Sequence, residues 1–274
     1  MSLFSIDPKL CERDGICVEE CPARIIEIGK KGEFPSPVEG ADEICIHCGH
    51  CVAVCPHGAL SLKTVGPGDC SPIKREILPG FEGTVELLKS RRSIRAYREN
   101  PVKRETLLAL IDAARYAPSG SNSQPVHWLL IEDKAEIKRL AALVVDWMRV
   151  VVKETPELAA PGHFDRIVRA WDEGIDRIFR SAPHLAVAFG LKTHPAAQPA
   201  CIITLTYLEL AAYALGLGTC WAGYFMRAVQ SFPPLIRALD LPEDHQVFGA
   251  MMLGYAKHHY PRIPLRHESK ITWR

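Results

Sequence analysis

Net charge is nearly absent from this chain: 33 lysines and arginines stand against 32 aspartates and glutamates in 274 residues, leaving +1. That balance excludes bulk attraction to nucleic acid or to a membrane surface, so any basic function has to be local. No secretory leader is expected either, since Met1 to Leu10 has no basic segment followed by an apolar one, and the expected location is the cytoplasm. Long uncharged apolar runs are scarce. The one window long enough to cross a membrane, 200–226, carries Thr204, Thr206 and Glu209 at its middle and Gly216, Gly218 and Gly223 after them. That pattern predicts a buried helix ending in a glycine-bearing turn instead of a membrane span. No G-x-G-x-x-G run leads to an acidic residue, so a Rossmann domain that binds NAD stably is not expected.

Cysteine is almost confined to one end: of ten, seven lie between Cys11 and Cys55, and only Cys70, Cys201 and Cys220 follow. In a cytoplasmic chain such crowding reads as metal binding before disulfides. Cys45, Cys48, Cys51, Cys55 and Pro56 have the C-x2-C-x2-C-x3-C-P spacing with which thiolates hold iron–sulfur clusters. A structural zinc site needs four closed ligands and leaves the third tandem cysteine and the Cys-Pro step unexplained. Moving back 34 residues maps Cys45, Cys51, Cys55 and Pro56 onto Cys11, Cys17, Cys21 and Pro22. The repeat predicts two half-domains about a pseudo-twofold axis, each too small to fold alone and each stabilised by metal. Their shared core is expected from Ile25, Ile26 and Ile28 with Leu60 and Leu62.

This segment resembles a bacterial two-cluster ferredoxin, in which the fourth cysteine of each run crosses to the other cluster. The resemblance implies one [4Fe–4S] cluster on Cys45, Cys48, Cys51 and Cys21, and a second on Cys11, Cys17 and Cys55. The fourth position of the second site is held by Asp14. A carboxylate is a harder ligand than a thiolate, so that site is either an Asp-ligated [4Fe–4S] cluster or a [3Fe–4S] cluster. Alternatively, Asp14 is a turn residue before Gly15.

The domain on residues 1–65 is followed by a connector at 66–83, where Pro67, Pro72, Pro79 and four glycines break helix and strand periodicity. Cys70 in that connector is expected as an exposed, non-ligand thiol. From residue 84 to 274 the pattern predicts a short helix at 85–89 and a helix through Leu107, Leu110, Ile111 and Ala114 that Pro118 stops. Further helices are expected at 136–152 and 165–179, with strands at 126–131, 185–189 and 247–253. Without regular βαβ alternation the fold class is α+β. Cys201 and Cys220 are expected as core residues, and His127 and His184 as packed strand histidines, leaving no evident general acid.

Arg91, Arg92, Ser93 and Arg95 could form a solvated basic face or a phosphate site, since guanidinium forks and a hydroxyl suit a terminal phosphate. Together with Pro118-Ser119-Gly120-Ser121-Asn122-Ser123-Gln124-Pro125, Gly216-Leu217-Gly218-Thr219-Cys220-Trp221-Ala222-Gly223 and Tyr260-Pro261-Arg262-Ile263-Pro264, they resemble the nitroreductase family of FMN enzymes. The resemblance implies a central, mainly antiparallel sheet flanked by helices. It also implies an FMN whose phosphate is held by Arg91, Ser93 and Arg95 with Arg262 or Arg266 of the tail. Asn122 would meet the isoalloxazine edge, Ala222 and Gly223 would bring backbone to the ring, and Arg92, Pro118, Ser119 and Gln124 would complete the cofactor-binding set. Family members are homodimers with FMN in the interface, and Lys270 to Arg274 alternates as a C-terminal strand would. The joint expectation is an iron–sulfur flavoprotein oxidoreductase. Electrons would come from a reduced donor, either a ferredoxin-like protein or NAD(P)H, and pass through two clusters to FMN. A nitroaromatic, quinone or similar small molecule would be the acceptor. The alternative is an electron carrier or redox sensor without small-molecule turnover.

Overall fold

A computed structural model describes residues 2–29 and 32–274 and divides the chain into two compact units. One runs to Leu78 and takes in Gly120–Ser123; the other holds Pro79–Ser119 and Gln124–Arg274. The stretch 66–83 expected as a connector is shared between them. Single 3-10 turns at Pro67–Asp69 and Arg75–Ile77 fall in the first unit, and the second unit's opening helix begins at Phe81.

The first unit has four short strands, β1 (Phe4–Ile6), β2 (Ile26–Glu27), β3 (Ser36–Pro37) and β4 (Leu60–Leu62), and three one-turn helices, α1 (Ile16–Glu19), α2 (Ala41–Ile44) and α3 (His50–Ala53). β1 pairs antiparallel with β4, and β2 with β3. The 34-residue repeat of the cysteines is written into the backbone as well. Positive φ recurs at Arg13 and His47, at Gly15 and Gly49, and at Arg24 and Gly58, each pair 34 residues apart. Leu3, Phe4, Ile25, Ile26, Val52, Leu60 and Leu62 form its buried core, with Ile28 half-buried. That core is too small to stabilise such short elements by burial alone.

The second unit is built on a four-stranded antiparallel sheet. In chain order its elements are α4 (Phe81–Ser90), α5 (Arg104–Ala114), β5 (His127–Ile131), α6 (Lys134–Glu154), α7 (Pro156–Ala159), α8 (Phe164–Asp172), β6 (His184–Leu191), α9 (Ala197–Ala214), β7 (Leu217–Trp221), α10 (Gly223–Val229), α11 (Pro233–Ala238) and β8 (His245–Tyr255). The strand order is β5-β6-β8-β7. Alternation along β6 sends Leu185 and Val187 to one face and Ala186 and Ala188 to the other. The first face packs on α6, α8, α10 and α11, the second on α5 and α9, so the sheet is covered on both sides. α6 shows why its residues make a helix. Asp133 caps it, accepting from Ala135 N at 2.9 Å, and Ile137, Leu140, Ala141, Val144, Val145 and Met148 form one buried stripe.

Two expectations need correction, the end of one helix and the burial of another. The helix expected at 165–179 stops at Asp172, because Gly174 takes a left-handed φ of 83° and the Ile175 and Gly174 amides donate to Ala170 and Trp171 at 2.8 and 2.9 Å, closing the helix end. The helix expected within 200–226 is α9, which ends at Ala214 in the expected glycine-bearing turn, Gly216 taking φ 73°, and the same apolar run then supplies β7. α9 is also buried on one side only, with Ile202, Ile203 and Tyr207 exposed; no described helix is long and apolar enough to cross a membrane. The tail beyond residue 262 has no regular structure in the single chain.

Candidate functional site

In the first unit the cysteines converge as two sets of four residues. Cys21, Cys45, Cys48 and Cys51 line one small cavity with Leu3, Ile25, Ile26 and Leu62. Cys11, Asp14, Cys17 and Cys55 line another with Ile6, Pro35 and Leu60. These are the two crossed sets implied by the ferredoxin resemblance. The apolar walls and soft donors fit iron–sulfur clusters. Among the described residues no three His, Cys, Asp or Glu side chains crowd tightly enough for a single metal ion.

Without metal, both sites hold their buried thiols protonated. Burial pushes the Cys17 thiol up, and Asp14, Cys11 and Cys55 add to that shift. Burial pushes Cys51 up to about 11, with Cys48 and Cys21 adding. Iron binding must therefore displace protons from both sites. Ala59 N donates to Cys55 Sγ at 3.3 Å, a bond of the kind that sets cluster potential. Asp14 Oδ1 accepts from Ile16 N at 3.2 Å, so one carboxylate oxygen serves the turn into α1. A turn bond to one oxygen leaves a carboxylate able to ligate iron through the other, so the two readings of Asp14 are compatible. Cys70 is half-buried against this core, less exposed than expected. Asn122, grouped with this unit, donates from Nδ2 to the Ile46 and His47 carbonyls at 3.3 and 3.0 Å.

In the second unit the segment 91–98 lies along the outer edge of β7 and the end of β8. Ser93 bridges Thr219, Ile94 N donates to Thr219 O at 2.8 Å, and Arg98 N donates to Tyr255 O at 2.9 Å. Gly218 permits this approach: a Cβ there would stand 2.5 to 2.9 Å from three Ile94 atoms. Ile94 and Tyr97 are buried as anchors, and Arg95 is exposed between them. Arg91 Nη1 is held by the buried Glu209 carboxylate at 3.0 Å, and Thr219 Oγ1 donates to the same oxygen at 3.2 Å. Arg91 is therefore tethered from behind.

Ser93 and Arg95 both act on the Cys220 thiol. Burial pushes that thiol up, while Arg95, Arg180 and a hydrogen bond with Ser93 draw it back. Cys220 and Cys201 are core thiols as expected, Cys201 being pushed up to about 12 by burial alone. Of the pair expected to offer backbone to a flavin, Ala222 is buried and its N–H is spent on Ala250 O at 2.9 Å. Gly223 is exposed, a Cβ there would meet no atom within 4 Å, and among the described residues its N–H has no acceptor. These residues fit FMN: a basic, half-exposed strip for the phosphate and one open backbone donor for the ring.

Other expected residues are not brought to this strip. Ser119 Oγ accepts from Gln124 N at 2.9 Å, just before β5. β5 and β7 are opposite edges of the sheet, roughly 14 Å apart across three strand spacings. Pro118 belongs to the same approach to β5. The tail starts beside the strip, with Lys257 N donating to Ala96 O at 2.9 Å and Arg92 6.0 Å from the Tyr260 ring centroid. Arg262 and Arg266 lie in its exposed continuation. Two participants escaped sequence reasoning, Glu209 and Arg180. The lone charge in an apolar helix was a usable signal for the first; nothing local singled out the second. His184 is buried as expected, its Nε2 accepting from Val102 N at 2.8 Å. His127 is exposed at the edge strand, edge-on to His245 at 5.0 Å.

Comparison with known proteins agrees with this division. A model described as the nitroreductase family matches residues 88–255, and one described as a 4Fe-4S dicluster domain matches residues 10–60. An NADH dehydrogenase of Thermus thermophilus is 31% identical over 215 residues, covering 72% of this chain and 98% of that protein. An FMN reductase [NAD(P)H] of Bacillus subtilis is 29% identical, covering 66% of this chain and 70% of that protein. The crystal structure of a nitroreductase with bound FMN from Desulfitobacterium hafniense superposes with a TM-score of 0.57 at 25% identity, covering 69% of this chain and 97% of that one.

Proposed function

The chain belongs to the nitroreductase family and is an FMN-dependent oxidoreductase with an N-terminal 4Fe-4S dicluster domain, and from that premise we propose that it passes electrons from a reduced donor through two clusters to FMN and on to a small unsaturated acceptor. The acceptor class is a nitroaromatic, a quinone or a similar molecule. NAD(P)H or a ferredoxin-like protein is the donor, and the cytoplasm is the working compartment. Bound clusters would supply one-electron transfer, and bound FMN the exchange between single electrons and pairs.

The observation that carries this reading is the convergence of two four-residue ligand sets in a chain that also has the family's flavin motifs. Cys21, Cys45, Cys48 and Cys51 would hold one cluster, and Cys11, Asp14, Cys17 and Cys55 the other. Ser93 and Arg95, with Arg91 and a tail arginine, would hold the phosphate. Gly223 would donate its N–H to the ring. A homodimer is the expected working form, supported by the apolar face left open on α9. Because residues 119 and 124 stand at the sheet edge opposite to Ser93, an interface site would draw them from different copies.

Anaerobic reconstitution with iron, sulfide and flavin counted per chain, followed by stepwise reduction with each donor, tests the path. Seven or eight irons, as an order of magnitude for two clusters, and one FMN are expected, and fewer than about six irons would argue against two intact clusters. A turnover assay with nitroaromatics and quinones tests the acceptor. Failure of every acceptor alongside fast exchange with a reduced protein would point to a carrier.

A further inference from the structure

A cleft of about 360 Å³ opens beside the candidate flavin strip, in the second unit, and its volume lies in the range of small-molecule sites. Arg166, Arg169, Arg177 and Arg180 line it, against a single carboxylate, Glu173. Among the described residues none of the four arginines is in an ion pair. Elsewhere on the second unit Arg104, Arg115, Arg139 and Arg149 each hold a carboxylate. Concentrating one sign of charge in a concave site focuses the field on an anion.

The arginines are positioned, not scattered. Phe164, Ile167 and Ala170 bury one face of α8, which fixes Arg166 and Arg169 three residues apart on the exposed face. Arg180 is held by a clamp: the Asp176 carboxylate accepts from the amides of Ile178, Phe179 and Ser181 at 2.8, 3.0 and 2.9 Å. Within the clamp Arg180 and Ser181 take φ 55°, and His163, on the cleft wall at the start of α8, takes φ 50°. Left-handed backbone at such residues is strained, and strain of this kind collects at ligand sites. The cleft also reaches the strip: Tyr224, next to Gly223, is part of its wall, and Arg180 acts on the same Cys220 thiol as Ser93 and Arg95.

We propose that this cleft binds the anionic end of the small molecule that exchanges electrons with the flavin site, through oxygens of a phosphate or carboxylate. This rests on the oxidoreductase reading above and narrows it to a ligand carrying two or more negative charges. Two sources share that chemistry, a phosphate-bearing donor and a carboxylate-bearing acceptor.

The test is calorimetric titration of the FMN-loaded protein with inorganic pyrophosphate in one arm and isophthalate in the other. One probe should bind with unit stoichiometry, weaken with added salt, and lose about ten-fold or more in affinity in Arg166→Gln/Arg169→Gln, since each arginine supplies charge-assisted hydrogen bonds. The tighter arm identifies the source. Arg166→Lys/Arg169→Lys, which keeps the charge, should retain part of the affinity and guards against loss of fold. Failure of both probes to bind, or equal affinity in parent and Gln variant, overturns the proposal. Binding is read without turnover, so it stands or falls separately from reduction of an uncharged nitroaromatic, which tests the oxidoreductase reading itself.

Discussion

Truncating Arg91 to alanine would leave the Glu209 carboxylate buried with only the Thr219 hydroxyl beside it. The side chain of Glu209 is 8% exposed and that of Arg91 22%, so neither charge is fully hydrated and the pair is not a surface salt bridge worth a few tenths of a kcal/mol. Removing one partner of a buried pair costs about 3–5 kcal/mol, mostly the penalty of the charge left behind. Partial exposure of Arg91 places the expectation near the lower end, about 3 kcal/mol. In a unit of this size that lowers the melting temperature by roughly 6–12 °C. The assay is thermal unfolding of the protein stripped of FMN, so that loss of a phosphate ligand does not enter. The double variant Arg91→Met/Glu209→Met removes both charges and should recover to within about 1 kcal/mol of the parent. If Arg91→Ala melts within 2 °C of the parent, as a rough bound, or the double variant is no better than the single, the buried-pair reasoning is wrong.

Asp14→Cys should change the EPR spectrum and potential of one cluster and leave the other unaltered; identical spectra and voltammetry in mutant and parent would remove Asp14 from the ligand set. Gly218→Ala puts a methyl into Ile94 and should cost about 1–3 kcal/mol by overpacking, with weaker FMN retention, and Ile94→Ala in the same chain should restore part of both. His184 has its pKa held below 6.5 by burial, with Glu132 opposing. The folded protein thus resists a proton that the unfolded chain accepts, so stability is full above pH 6.5 and falls as pH drops below it, by at most about 1.4 kcal/mol per pH unit. Denaturant midpoints between pH 7.5 and 5, a range chosen about that value, should slope less in His184→Gln, and parallel slopes would clear His184 of the effect.

How much the sequence disclosed depended on how local each signal was. Cluster ligands were legible because cysteine spacing is a distance constraint in itself, and the 34-residue shift that relates them reappears in the backbone at Arg13 and His47. The long periodic helix α6 and strands β5, β6 and β8 were equally legible. β7 was hidden because it continues the apolar run of α9 with only Leu215 and Gly216 between them, and periodicity cannot separate a five-residue buried strand from a buried helix. The end of α8 was misplaced because Gly174 reads as a tolerable interior glycine until its amide is seen closing the helix. The tether from Arg91 to Glu209 spans 118 residues, and the spending of the Ala222 amide on Ala250 depends on sheet register. Neither leaves a trace in local sequence.

The strip that bears Ser93 and Arg95 has a second consequence. β7 is the last strand of its sheet, and among the described residues the contacts along its outer side are the Ser93 bridge and the Ile94 amide on Thr219. An uncovered strand edge is a template for another chain, and Leu217 to Trp221 would present an apolar one. Resistance to aggregation and retention of the cofactor are therefore guarded by the same few residues. A preparation that sheds its flavin should be the one that precipitates.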